Sequence, residues 1–184
     1  MAHAYGADAI SRAVTCGIRT IEHGNLIDAA AAAEVAARGA FVVPTMVAYE
    51  GLERHGKAAG VDAGRLAKND EVRRAGLGAF AILRAAGVNV GFGTDLLGSL
   101  QPMQPMEFSI RAEVESAADI VRSATSVNAD LLRRPDLGRI AVGATADLIV
   151  VDGDPLRDVT ILARPEETLR LVMTEGRVRV DRLA

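Results

Sequence analysis

The chain is 184 residues long, 49% apolar and 24% charged, the balance of a globular protein with room for one or two cores. Its 21 basic and 24 acidic residues leave a net charge of −3 with no block of like charge, which argues against a nucleic-acid surface. No apolar run approaches the ~18 residues of a membrane span and no charged-then-apolar leader opens the chain. A single cysteine, Cys16, excludes an internal disulfide framework, and the expected compartment is the cytoplasm.

The predicted elements then alternate along the chain. "DAISRAVTCG" reads as a helix, with Ile10, Ala13 and Val14 at helical spacing and Gly17 closing it. "IRTIEHG" is short and rich in β-branched residues, which predicts a buried strand ending at His23. "DAAAAAEVAARG" is a helix capped by Asp28 and terminated by Gly39. "AFVVPT" is a strand stopped by Pro44, which cannot donate to a ladder. The polar, glycine-punctuated stretch from Ala48 to Lys68 predicts a loop with a short helix. "DEVRRAGLGAFAILRAAG" is helical, "VNVGFGTD" is a strand ending at Asp95, "LLGSLQPMQP" is a loop, and residues 107–134 are helical again.

Strand and helix in this rhythm imply βαβ units and a parallel sheet, so the expected fold class is α/β. The strands are continuously apolar, as expected where both faces are covered. His3, His23 and Asp95 all fall at predicted carboxyl ends of strands, the rim that carries the site in a (β/α)₈ barrel. After Pro135 the texture changes to short β-rich segments joined by glycine and aspartate turns, with "TEGR" as a hairpin loop. Residues 1–134 are therefore assigned to a barrel-like part and residues 135–184 to a small β module.

His3 and His23 are 20 positions apart, about one helix and one strand, so neighbouring parallel strands place both imidazoles on one rim. Neutral imidazole ligates zinc and similar ions; buried histidines bonded to neighbours fit the same spacing, and the residues alone leave both readings open. Asp95 sits after glycines in "GFGTDLLG", where a carboxylate can ligate a metal or handle a proton, and where aspartate also serves as a turn or cap. His55 falls in a polar stretch and is expected in solvent. Cys16 is expected as a small buried apolar group. Glu22, adjacent to His23 on a strand, is expected on the opposite face. Asp147, Asp152 and Asp154 are expected as turn formers, because neither the GxxxxGK nor the GxGxxG spacing is present.

In order, "AHAYGADAISRAVTCGIRTIEHGNLID", "GAFVVPT", "GVNVGFGTDLLG" and "LGRIAVGATADLIVVDGDPL" resemble the second half of an amidohydrolase-superfamily enzyme. The similarity is greatest to its imidazolonepropionase-like and Xaa-Pro dipeptidase-like branch, and it covers essentially the whole chain. The resemblance implies the C-terminal part of a (β/α)₈ TIM barrel, strands five to eight, followed by the C-terminal part of a small β-sandwich domain. It implies His3 as the metal ligand after strand five, His23 as the ligand after strand six, and Asp95 after strand eight as both ligand and proton shuttle. Zn²⁺ is the implied cofactor, one or two ions in the complete enzyme, with manganese or iron able to accept the same ligands. Tyr5, two residues after His3, is a candidate substrate contact, with structural packing as the alternative.

Such enzymes also carry a His-x-His pair on strand one and, where binuclear, a carboxylated lysine on strand four. This chain has three histidines and no His-x-His, and neither Lys57 nor Lys68 lies in a strand-like context. Met1 falls within the implied strand five, so the expectation is that the remaining strands lie upstream. The expected reaction is hydrolysis of a C–N bond in a dipeptide or other small-molecule substrate, with a cyclic amidohydrolase or deaminase as the alternative. A non-catalytic structural or interaction partner is the alternative from another class. Alone, the chain is expected to lack hydrolase activity, and to form a homo-oligomer or pair with the missing N-terminal half.

Overall fold

A computed structural model describes residues 1–183. Four strands, β1 (Ala2–Gly6), β2 (Thr20–Leu26), β3 (Phe41–Val43) and β4 (Asn89–Val90), pair in parallel in the order β1-β2-β3-β4. An order that follows the chain without reversal is that of a barrel wall, whereas a doubly wound sheet reverses at a switch point.

Helix α1 (Ala7–Thr15) connects β1 to β2 and buries Ile10 and Val14. Cys16 lies beyond this stripe, around the helix from Val14, and is exposed rather than buried as expected. Helix α2 (Ala29–Ala37) starts as the sequence predicts, with Asp28 accepting from the Ala31 amide at 2.8 Å. The stretch expected as a loop with a short helix carries helix α3 (Met46–His55), and helix α4 (Ala63–Ala85) begins within it, so less of it is loop than predicted. Asp62 caps α4 by accepting from the Arg65 amide at 3.0 Å, which moves its start upstream of the predicted one. Gly76 inside α4 is explained by close approach: a Cβ there would lie 2.3 Å from Asn25 Nδ2 and 2.8 Å from Met46 Sδ. The core joins Ile10 and Val14 to Ile21, Val35, Val42 and Leu83, so helices cover the outer face of the parallel sheet.

Two expected elements are shorter than predicted. β4 ends at Val90, not Asp95: Gly91 N–H still donates to Val42 C=O at 2.9 Å, but from Phe92 the backbone bonds elsewhere, the Asn128 side-chain amide accepting from Phe92 N–H at 2.9 Å and donating to Phe92 C=O at 2.8 Å. The helical run 107–134 is broken into α5 (Met106–Ala112), α6 (Ala117–Arg122), a π turn (Ser123–Val127) and α7 (Asn128–Leu131). Ser116 restarts it as the cap of α6, accepting from the Asp119 amide.

A second sheet is antiparallel, with β5 (Leu148–Val151), β6 (Leu169–Thr174) and β7 (Arg177–Asp181) in that order and α8 (Pro165–Thr168) before β6. "TEGR" is its hairpin loop, with Glu175 and Gly176 at φ 50° and 74°, the left-handed pair that a two-residue turn requires. Asp147 and Asp154 accept turn amides, from Glu175 and Leu156, while Asp152 pairs with Arg170. Among the described residues no helix is long and apolar enough to cross a membrane.

Candidate metal centre

The site grows out of an irregularity in β2. Ala4 pairs with His23 but Gly6 pairs with Leu26, so one extra residue bulges from β2. His23 takes φ 79° and Gly24 φ 66° within it. Thr45, just after β3, and Asp95, beyond β4, are also left-handed at 51° and 49°. Three non-glycine residues held in this costly region, His23 within β2 and Thr45 and Asp95 after β3 and β4, mark a functional rim.

β1 contributes by simple alternation. Ala4 is buried toward the helices, so His3 and Tyr5 face the other way and are exposed. His3 Nδ1 lies 2.9 Å from His23 Nε2. Tyr5 stacks on the His23 ring, centroids 4.6 Å apart. A pocket of about 220 Å³ is lined by His3, Glu22, His23, Thr45 and Asp95 among others. The structure thus brings the predicted His3, His23 and Asp95 to one pocket and sets Tyr5 beside it, while His55 lies exposed at the end of α3.

Glu22 departs from expectation, because it lines this pocket instead of facing away. Strand alternation presumes extended backbone, and the left-handed turn at His23 swings the imidazole onto the face that Glu22 already occupies. Burial raises the Glu22 pKa, partly offset by the charge of His3.

The chemistry of the pair suits a cation. Burial lowers the His23 pKa, opposed in part by Asp95 and reinforced by His3, so the ring favours the neutral form that metals require. Its Nδ1 is 2.9 Å from Thr45 Oγ1. With Nε2 kept as a lone pair, Nδ1–H donates to that hydroxyl, the orienting bond typical of metal-ligating histidine. Two nitrogens on one tetrahedral zinc lie roughly 3.3 Å apart at bonds of ~2.0–2.1 Å, close to the separation found here. The fit is partial: among the described residues no three His, Cys, Asp or Glu side chains form a cluster able to hold an ion by themselves.

Thr45, Glu107 and Arg111 are not among the residues the sequence singles out. Glu107 and Arg111 are fully buried on α5. Arg111 donates to Gly91 C=O and Ser123 Oγ at 2.9 Å each, pairs with Glu115, and lies 5.2 Å from the Phe80 and Phe92 ring centroids. Ser123 in turn donates to Val90 C=O at 2.8 Å, fixing the end of β4 from the π turn. Burial raises the Glu107 pKa to about 7, against the lowering effects of the Val47 amide and Arg111. Thr45 alone offered a signal, since it follows β3 as His23 and Asp95 follow their own runs.

A model of the amidohydrolase family matches residues 1–179. The chain superposes on a solved amidohydrolase with TM-score 0.94 and 51% identity, covering 99% of this chain and 44% of that one. A prolidase in complex with N-methylphosphonate-L-proline gives TM-score 0.93 and 47% identity, over 98% of this chain and 45% of that one. An Xaa-Pro dipeptidase with bound methionine gives 0.84 and 31%, over 97% and 44%. Among curated proteins, hydroxydechloroatrazine ethylaminohydrolase of Pseudomonas sp. (strain ADP) is 40% identical over 83 residues, 38% of this chain and 17% of its own length. Pterin deaminase of Rhizobium rhizogenes (strain K84 / ATCC BAA-868) is 34% identical over 112 residues, 54% of this chain and 24% of its own. The chain spans less than half the length of each of these proteins.

Proposed function

The chain belongs to the amidohydrolase family, and on that premise we propose that its pocket supplies part of the metal centre of a hydrolase cleaving the C–N bond of an Xaa-Pro dipeptide. The observation that carries this reading is the meeting of His3 Nδ1 and His23 Nε2 in one pocket with Asp95. His3 and His23 would hold the cation, and Thr45 fixes the ring of His23. A zinc ion held there would supply Lewis acidity toward the scissile carbonyl and toward a water molecule. Asp95 takes the proton released by the attacking water and passes it to the departing nitrogen. Tyr5, stacked on His23 and open to solvent, presents its ring and hydroxyl to the substrate. Manganese and iron accept the same ligands.

The dipeptide assignment is supported by the prolidase and Xaa-Pro dipeptidase among the similar structures. The two curated relatives favour a second reading, deamination or opening of a cyclic amide on the same machinery. β1 and β4 are edge strands among the described residues, and we extend the proposal to their being covered, by a second copy or by further strands of the barrel.

Cobalt(II) titration of the chain tests the site. A visible absorption band is expected in the wild type and lost in His3→Ala and His23→Ala; a band unchanged in both variants overturns the assignment. Exchanging the chain for the matching segment of the 47%-identical prolidase tests the substrate. Proline release from an Xaa-Pro dipeptide is expected, and ammonia release from a pterin instead moves the assignment to a deaminase.

A further inference from the structure

Helix α3 opens in an unusual way. Thr45 holds its N-cap position, where a threonine hydroxyl ordinarily accepts from an amide two or three residues on. Here it makes no such bond; its Oγ1 lies 2.9 Å from His23 Nδ1 instead. The amide left over, Val47 N–H, donates to Oε2 of Glu107 at 2.7 Å, 60 residues further along the chain. The Met46 amide is directed at the same carboxyl group. Glu107 is 0% exposed, and its other oxygen, Oε1, has no partner. Orphan amides of a helix start must bond somewhere once buried, so an acceptor is obligatory at this point.

We propose that Glu107 is a positioning residue for the metal pocket: by capping α3 from α5, it frees the Thr45 hydroxyl to hold the His23 ring. Without that carboxyl group the Val47 amide needs another acceptor, and the N-cap hydroxyl of Thr45 is the group that ordinarily serves. The hydroxyl then turns back onto its own helix, and His23 Nδ1–H loses its partner. Glu107 touches neither cation nor substrate; it acts through Thr45. The inference rests on the reading of His23 as a ligand for its purpose, but not for its geometry.

The test is nitrogen-15 NMR of the histidine rings in the full, metal-free chain, with backbone amide spectra reporting the fold. Wild-type His23 is expected as the Nδ1–H tautomer with a slowly exchanging ring proton. Thr45→Val and Glu107→Ala are each expected to lose that protection. Thr45→Ser and Glu107→Gln, which keep an acceptor in place, are expected to retain it; Glu107→Asp, too short to reach, replaces Glu107→Ala if the latter does not fold. Cobalt(II) affinity is expected to drop about 10- to 100-fold in Glu107→Ala or Glu107→Asp and to be regained in Glu107→Gln. Three results overturn the inference: an Nε2–H tautomer in the wild type, an unaltered His23 signal in a folded Ala or Asp variant, or its loss in folded Glu107→Gln. If the chain binds no cobalt while the ring-proton pattern holds, only the proposed function falls. If cobalt binds but the pattern fails, only Glu107 loses its role.

Discussion

The parallel and antiparallel sheets are made of similar β-branched residues and are packed in opposite ways. Every residue of β2 except Glu22 and Leu26 is buried, whereas no residue of β5 or β7 is. Ile21 is 0% exposed and Ile149 is 53% exposed, although each sits in a run that reads as a core strand. Helices on the outer face account for the first case. The antiparallel sheet has only Leu171 of its own, with Val159 and Ile161 from the preceding 3₁₀ turn, as buried apolar side chains. The lesson is that strand composition reports which residues can be covered, and topology decides which are. The left-handed residues differ in kind as well: His23 and Thr45, both buried at the covered sheet, are held so by their surroundings, whereas Glu175 and Gly176 in the antiparallel sheet form its hairpin turn.

Substitutions in the covered layer should therefore dominate stability. Arg111→Ala removes a fully buried cation and orphans Gly91 C=O and Glu115, so the denaturant midpoint is expected to fall by the equivalent of about 3–5 kcal/mol. A loss below about 1 kcal/mol would mean that water reaches this network. Leu83→Ala, at a 0% exposed position, is expected to cost about 2–5 kcal/mol. Val178→Ala on β7, half exposed, is expected to stay within about 0.5 kcal/mol. Equal losses at the two positions break the contrast.

The buried carboxyl group gives the covered layer a distinct response to pH. Burial raises the Glu107 pKa from 4.5 to about 7, so between these values the folded chain holds a proton that the unfolded chain releases. Its contribution is complete below about pH 4.5 and is lost as the pH rises through 7, a change on the order of 3 kcal/mol. Glu107→Gln removes that slope. His23 acts in the opposite sense, since its lowered pKa stabilises the fold above its unfolded value and is lost as the pH falls. Denaturation across pH 4–8 in wild type and Glu107→Gln separates the two, and identical profiles would remove Glu107 as their source.

Much of the covered layer was legible because its signals are local. Asp28 before an alanine run, Gly17 and Gly39 after helices, and β-branched runs between them each specify structure within a few residues. The pocket was legible in part: the alternation of strand and helix brings His3, His23 and Asp95 together, although β2 runs past His23 to Leu26 and β4 stops at Val90, short of Asp95. It was not legible where the determining partner is distant. Glu107 bonds to an amide 60 positions away and Asn128 to backbone 36 positions away, and neither distance leaves a periodic trace. Glu22 was misplaced by a rule that holds only for extended backbone, and the bulge at His23 is set by pairing with β1 rather than by its own sequence. Cys16 was misplaced because a helix end was read as buried without asking which way its stripe faces.

The smallest expected effect probes the uncovered sheet. Arg170 and Asp152 approach to 2.6 Å, but their side chains are 41% and 66% exposed. At that exposure water and salt screen the attraction, and ordering two mobile side chains offsets much of what remains. A double-mutant cycle of Asp152→Asn and Arg170→Gln is expected to return a coupling under about 1 kcal/mol that vanishes at high salt. The short distance alone would suggest more, so the cycle separates contact geometry from solvent exposure. A larger coupling that persists in salt would mean that something covers this sheet in solution, and the contrast between the two sheets would then describe the chain alone rather than its working form.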